Sequence, residues 1–367
     1  MLLNFLAAGW PEFSRDISRQ AADAFFQYPH IVAGAVSIGL SAFAVGFFWL
    51  ARGAAHASSR AAIAMRAQQL KRTRDHHARI LLTPIKGFGA GALRQEIAEG
   101  IERRFGVFAF QAPAQVEMFP VSLETIPTGA EAEKGRKVAM EALSLLEMAA
   151  ADVIVWGRRS LNGKVQLRLL AAPSYGRLPE VHEITFQWRN GEALGEIDDV
   201  IAYACARRAR PVLNRPQDYK PEKLQLIVDA LDRIVNRPPA GLGEGAMMEL
   251  LDDYARGALS LGERGGHVSW LERSLEARER FVQHIDRQGD PGAWGAAQQE
   301  VGRALAALGE RDADRAKLED AAKRLRMSLD SLRATDTLQA AEVAMRALAR
   351  VEQTLAQRKK VGLRWPA

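Results

Sequence analysis

ADVIVWGRRSLNGKVQLRLLA, residues 151–171, is the stretch on which the fold turns. Asp152–Gly157 carries a short, unbroken apolar run bounded by polar residues, the pattern of a strand buried on both faces. Asn162-Gly163 then supplies the pair that a tight hairpin turn favours, because positive φ is cheap there. Val165–Ala171 alternates as the returning strand.

Outward from this hairpin, Arg79–Ile85 reads as a second buried strand in front of a glycine cluster. Ala92–Phe105 spaces Leu93, Ile97, Ile101 and Phe105 four apart, which predicts a helix with one apolar face. Val107–Phe110 reads as a short strand, Gly135–Ala150 as a helix and His182–Trp188 as a further strand. Strands alternating with helices and then a hairpin predict a mixed sheet with helices packed on it, over residues 79–190. A helical linker follows over 191–220. It contains Cys205, read as packed apolar surface, and Asp198-Asp199, read as first-turn or solvated acids, as is Asp252-Asp253 further on.

The amino-terminal part reads differently. Residues 31–51, IVAGAVSIGLSAFAVGFFWLA, carry no charge over 21 positions. A bilayer core needs roughly 20 such residues, so the run predicts a membrane span preceded by an interfacial segment, 1–30. Its small residues Ala35, Gly39, Ala42 and Gly46 form a stripe on which a second copy of the helix could pack. Residues 52–78 form a basic connector with Arg52, Arg60, Arg66, Lys71, Arg72, Arg74 and Arg79 at or just beyond it. Such a cluster predicts a cytoplasmic placement of everything downstream and an attraction for anionic lipid headgroups. Read this way, the net charge of +6 belongs to the membrane flank, and nucleic acid is not an expected partner.

Composition narrows the rest. A chain of 367 residues that is 48% hydrophobic and 26% charged is neither disordered, collagenous nor a small disulfide scaffold. A single cysteine excludes an internal disulfide and a multi-cysteine zinc site. The sequence holds no phosphate-loop, zinc-protease or nucleophile-elbow motif. No enzyme, cofactor or metal is therefore expected. Gly87-Phe88-Gly89-Ala90-Gly91-Ala92 carries the one alternative, because glycines between a strand and a helix let a backbone approach a pyrophosphate. The carboxylate that such a site wants on the next strand is missing, so Gly87, Gly89 and Gly91 read first as a tight turn.

From Pro221 the pattern turns wholly helical, with helices expected near 221–236, 245–261, 267–288, 292–308, 312–332 and 336–358. Leu261-Gly262-Glu263-Arg264 recurs 47 residues later as Leu308-Gly309-Glu310-Arg311, and Leu271-Glu272 recurs at the same offset as Leu318-Glu319. The repeated Leu-Gly reads as a helix end with glycine in the left-handed terminal position, followed by the next helix of a stacked pair.

Two resemblances rest on these residues. Ala151 to Gly157, with Trp156 before the glycine, then the turn and Leu167-Arg168-Leu169, resemble the small α/β domain shared by the amino-terminal domain of TolB, FlgO and related bacterial envelope proteins. The likeness covers about 79–190 and implies a platform without catalysis; no propeller follows, so no TolB-specific role is implied. Asp290-Pro291-Gly292-Ala293-Trp294, Gly302, Ala304-Leu305, Leu308-Gly309-Glu310-Arg311 and Leu318-Glu319-Asp320-Ala321 resemble a proteobacterial tetratricopeptide variant over 245–333. Val301 departs from that pattern, as does Leu325-Arg326-Met327. This second resemblance implies binding of a peptide or partner protein along a concave helical face, but carries over no contact residues. Trp270, Trp294 and Arg303 are candidate contacts by their place on the helices, with core packing as the alternative for the two tryptophans. The expectation as a whole is an α+β chain: a single membrane helix, a small mixed domain and tetratricopeptide-like repeats over 221–367. It would serve as a scaffold at a bacterial inner membrane. A homo-oligomeric structural role and a ligand-sensing α/β module are the alternatives.

Overall fold

The computed structural model describes residues 63–72, 77–125, 132–172, 180–209, 216, 219–335 and 337–360. Ala67–Ala367 form one compact unit and Met1–Arg66 another. Every element named here belongs to the former.

The hairpin of residues 151–171 is the middle of a five-stranded sheet. In chain order the strands are β1 (Ala78–Leu82), β2 (Ala114–Met118), β3 (Val153–Arg159), β4 (Lys164–Ala171) and β5 (His182–Gln187). Their spatial order is β2-β1-β3-β4-β5, with β1 parallel to both its neighbours and β3, β4 and β5 antiparallel. Parallel neighbours need crossovers. Helix α1 (Ala90–Phe108) joins β1 to β2, and α2 (Ala132–Ala149) lies between β2 and β3. At the turn Gly163 takes φ 82° and the Asn162 side chain accepts from Lys164 N at 3.1 Å.

Strand residues alternate between two buried faces. Ile80, Leu82, Val153, Val155, Leu167 and Leu169 share one core with Leu93, Ile97, Ile101 and Phe105 of α1. Leu81, Ile154, Trp156 and Leu170 are equally buried on the opposite face, where α2 packs against β3 and β4. Helix α3 (Glu196–Ala209) lies against α1 on the first face. Asp198 and Asp199, in its first turn, reach back to Arg103 at 2.8 Å and to Arg104 through two bonds of 2.6 and 2.7 Å. Cys205 is fully buried there, and burial pushes its thiol up to about 12.

The helical half follows as α4 (Pro221–Asn236), α5 (Glu244–Gly265), α6 (Val268–Gln283), α7 (Pro291–Arg311), α8 (Arg315–Ala334) and α9 (Leu338–Lys360). Asp290 caps α7 by accepting from Ala293 N at 2.9 Å, with Pro291 just inside, where its missing N–H costs nothing.

The expected fold class is corrected. Among the described residues no helix is long and apolar enough to cross a membrane. The predicted span over 31–51, with Ala35, Gly39, Ala42 and Gly46, lies outside the described residues. The class is mixed α/β, and its helices are not segregated from the sheet. One core runs without a break from Ala78 through Leu224, Leu231, Leu250 and Tyr254 to Ala277, so α4, α5 and part of α6 complete the sheet's own core.

Two local expectations also change. Val107–Phe110 is not a strand. The four-residue spacing of α1 continues to the buried Phe108, and positive φ at Phe110 and Gln111 then turns the chain towards β2. Gly262 and Gly309 are not helix ends either. Both lie inside their helices, and Gly266 is the residue that takes the left-handed position after α5.

The glycines serve close approach instead. A Cβ on Gly262 would sit 2.6 Å from Leu271 Cγ, and one on Gly309 would sit 2.8 Å from Leu318 Cγ. In the α7–α8 hairpin the pairing continues in antiparallel steps of seven: Gly302 meets Leu325 at 2.7 Å and Gly295 meets Leu332 at 3.0 Å. A serine three residues after a seam position bonds across each hairpin, Ser274 Oγ to Ala255 O at 2.7 Å and Ser328 Oγ to Gly295 O at 2.6 Å. Alanine in place of Gly302 gains about 1 kcal/mol of helix propensity but overpacks a fully buried leucine, which costs about 1–3 kcal/mol. Gly302→Ala is therefore expected to lower stability by about 1 kcal/mol, and Gly302→Val by more, in urea unfolding. Stabilisation by the alanine would show that the seam is loose.

Candidate functional site

The helical half encloses a groove of about 590 Å³ where α5, α6, α7, α8 and α9 meet. Leu271, Leu325 and Val351 lie along it with Ala306, Ala307 and Ala347, the alanines keeping the space open. Its charged members are Glu263, Arg303, Glu310, Arg311 and Arg350.

Four of these five charges are held by neighbours. Arg303 lies 3.3 Å from Glu300 Oε1 on its own helix and 3.8 Å from Glu263 Oε1 on α5. Arg350 on α9 grips Glu310 with two bonds, of 2.8 and 3.2 Å, and Arg358 donates to the Glu310 carbonyl at 2.9 Å. Burial raises the Glu263 carboxyl above its ordinary value, against the pull of Arg303. The repeated Leu-Gly-Glu-Arg has a second meaning here, because both of its glutamates, Glu263 and Glu310, line the same groove.

Of the candidate contacts, Arg303 lies in the groove. Trp270 and Trp294 do not. They are only 8% and 7% exposed, and each is covered by a guanidinium, Arg273 over Trp270 at 4.9 Å and Arg287 over Trp294 at 4.5 Å. Both tryptophans have gone to packing, which is the commoner use of so large an apolar surface. Glu263, Glu310 and Arg350 were missed by sequence reasoning. The first two were signalled by the repeat itself; Arg350 joins through a pairing across 40 residues.

The glycine turn is filled by the protein. Gly87 has φ 120°, and a Cβ there would run into the carbonyl oxygen of Arg159. Lys86 N donates to Gly157 O at 3.0 Å and Arg159 N to Lys86 O at 2.7 Å, so the turn is stitched to β3. Beside Gly89, the Arg159 guanidinium donates to Phe88 O at 2.5 Å and stacks 4.8 Å from the Trp188 ring centre. The close approach that those glycines permit is thus made by β3 and its extension, while Gly91 faces open space. Gly87→Ala is expected to cost about 2 kcal/mol or more through strain and clash. Gly91→Ala, by contrast, should be neutral or stabilising by up to about 1 kcal/mol in the same unfolding assay.

A second cluster of charges joins the two halves of the unit. Asp253 of α5 is completely buried and accepts from Tyr203 Oη at 2.5 Å and from the Arg207 guanidinium, both on α3. One turn earlier, Glu249 pairs with Arg207 at 2.7 Å, Arg208 at 3.0 Å and His182 Nε2 of β5 at 2.8 Å. Burial would raise the Glu249 carboxyl, but the His182 hydrogen bond with Arg208 and Arg207 outweighs it and holds the group at about 2. Burial and the nearby Asp253 both push the Tyr203 hydroxyl well above its ordinary value, so it stays a donor.

No family model matches the chain, and no curated protein or solved structure matches it.

A carboxyl held below its ordinary value stabilises the fold above that value and loses its contribution as pH falls towards the lowered one. Glu249→Gln is expected to lower stability near neutral pH by on the order of 2 kcal/mol, because it leaves half-buried guanidinium groups short of a partner. The variant's stability should also fall less steeply than that of the parent between pH about 5 and about 3. Urea unfolding at stepped pH measures both, and parallel acid limbs would remove Glu249 from the account of acid stability.

Proposed function

We propose that this chain is a scaffold that holds a partner protein along the α5–α9 groove. The observation that carries the reading is the groove itself: an apolar floor of leucine, valine and alanine beneath paired arginines and glutamates, at the meeting of five helices. Such a concavity takes a short peptide segment, the floor accepting an aliphatic side chain and Arg303 and Arg350 an acidic one. The matching seams of the α5–α6 and α7–α8 hairpins support a tetratricopeptide-like reading of this half, in which stacked helix pairs form a binding face.

The glycine turn gives less support to a nucleotide site, since Arg159 and its backbone occupy the approach that a pyrophosphate would use. An adaptor reading needs no reacting group, only a groove whose charges select a sequence.

Selection of displayed random peptides on the full chain tests this. The expected result is enrichment of segments that combine an acidic and an aliphatic residue. Their affinity should fall about tenfold or more in Arg303→Glu. Arg315→Glu serves as control, since Arg315 pairs with Glu319 on the same exposed helix face and does not line the groove. Peptides that bind Arg303→Glu as well as the parent would place recognition elsewhere.

A further inference from the structure

The two most exposed large apolar side chains among the described residues are Leu161, 97% exposed, and Phe88, 81% exposed. They stand on neighbouring loops at one end of the sheet. Phe88 lies in the turn from β1 to α1, between Gly87 at φ 120° and Gly89 at φ 71°. Leu161 lies in the β3–β4 turn, beside Asn162-Gly163. The two loops touch: Arg159 donates to the Phe88 carbonyl, and Lys86 pairs with Arg158 as an isolated bridge. The chain leaving β5 reaches the same end, with Trp188 N donating to Gly163 O at 3.0 Å. A single exposed apolar residue is ordinary. Two on adjoining turns, where polar residues normally stand, form a patch that asks for a use.

Charge decides what such a patch meets. The loops 86–89, 158–164 and 188–195 hold Lys86, Arg158, Arg159, Lys164 and Arg189 against Glu192 alone. Lys86 and Lys164 are exposed, and neither ammonium has a hydrogen bond or ion pair among the described residues. Arg158 is exposed with one nitrogen on Gln166, and Arg189 lies 3.7 Å from Glu192. The acids close by are mostly spent elsewhere. Helix α1 has none in its first turn, and its Glu96 accepts from Leu194 N. Helix α3 opens with Glu196, which is exposed, and with Asp198 and Asp199, which Arg103 and Arg104 hold.

Two apolar tips among cations offer a protein neither the apolar centre nor the area of about 1,000 Å² that a specific interface needs. A bilayer makes no such demand. Its interfacial layer takes a protruding phenylalanine or leucine without a matching pocket, and anionic headgroups attract lysine and arginine at the same level. We propose that this end of the sheet docks on the surface of an anionic lipid bilayer. Phe88 and Leu161 enter the interfacial layer, and Lys86, Arg158, Lys164 and Arg189 lie against the headgroup phosphates. The contact is distinct from the basic connector of residues 52–78 and from the α5–α9 groove, and stands whichever way that groove is used.

A probe at the patch itself tests this in the full chain. Cys205, the one cysteine, is fully buried with its thiol pushed up to about 12, so a cysteine placed on the surface is labelled alone. Leu161→Cys carries a small apolar fluorophore sensitive to its surroundings, and Leu226→Cys, exposed on α4, carries the same dye as control. Vesicles of phosphatidylcholine alone, and of equal parts phosphatidylcholine and phosphatidylserine, are titrated separately. The expected result is a saturable blue shift at 161 with the mixed vesicles, binding about tenfold or more weaker with phosphatidylcholine alone, and no shift at 226. Lys86→Glu together with Lys164→Glu changes only exposed side chains, so the fold stays, and should weaken the apparent affinity for mixed vesicles about tenfold or more at low salt. Phe88→Ser should weaken it at low and high salt alike. A probe at 161 that ignores the mixed vesicles leaves the patch to a protein partner and overturns the proposal. So does an equal response to both compositions, an equal response at 161 and 226, or one unchanged in the lysine variant.

Discussion

A carboxylate with no access to water holds this molecule in its shape. Asp253 is accommodated in the core because Arg207 and Tyr203 meet it there, and an unpartnered charge at that depth would cost several kcal/mol. The pairing fixes α5 against α3, and Glu249 extends the same grip through His182 to β5. Sheet, second layer and helical half are thus tied at one place, by groups whose geometry is directional where apolar packing is not. Removing one member leaves the others buried and short of partners, which is why the cluster behaves as a unit.

From that fastening, α5 runs to two concavities of the surface. Its start closes the cavity at the edge of β5, and its end contributes Gly262 and Glu263 to the groove. Its 22 residues span about 33 Å at the helical rise, so the two regions are distinct places on one rigid element.

The parts of the fold that depend on neighbouring residues were legible in the sequence. The Asn162-Gly163 hairpin, the apolar run of β3 and the Asp290-Pro291 cap all express local rules. Most of what failed needed information from far along the chain, though the first failure was local. Val107–Phe110 looked like a strand because the apolar content of α1 continues past the point where a helix reading stopped. Asp252-Asp253 looked like solvated acids, yet Asp253 is met by groups 46 and 50 residues away. Leu-Gly at 262 and 309 looked like helix ends, since glycine in a helix interior is unfavourable unless a neighbour needs the room. The leucines that need it stand on another helix. Of the groove, Arg303 is legible in the sequence; Glu263 and Glu310 stand in the repeat without showing what they meet, and Trp270 and Trp294 go to packing instead.

The Gly295, Gly302 and Gly309 series also constrains how the chain can change in length. Inserting one residue into α7 rotates everything beyond it by about 100° and carries each later glycine off the partner helix, putting a side chain where a leucine already sits. An insertion of seven residues keeps the seam, because it restores the same face after nearly two turns. Length variation in this hairpin is therefore confined to whole heptads within the helices, or to the short Asp312–Asp314 connection between them, and sequences descended from a common ancestor should differ in length here only in those ways.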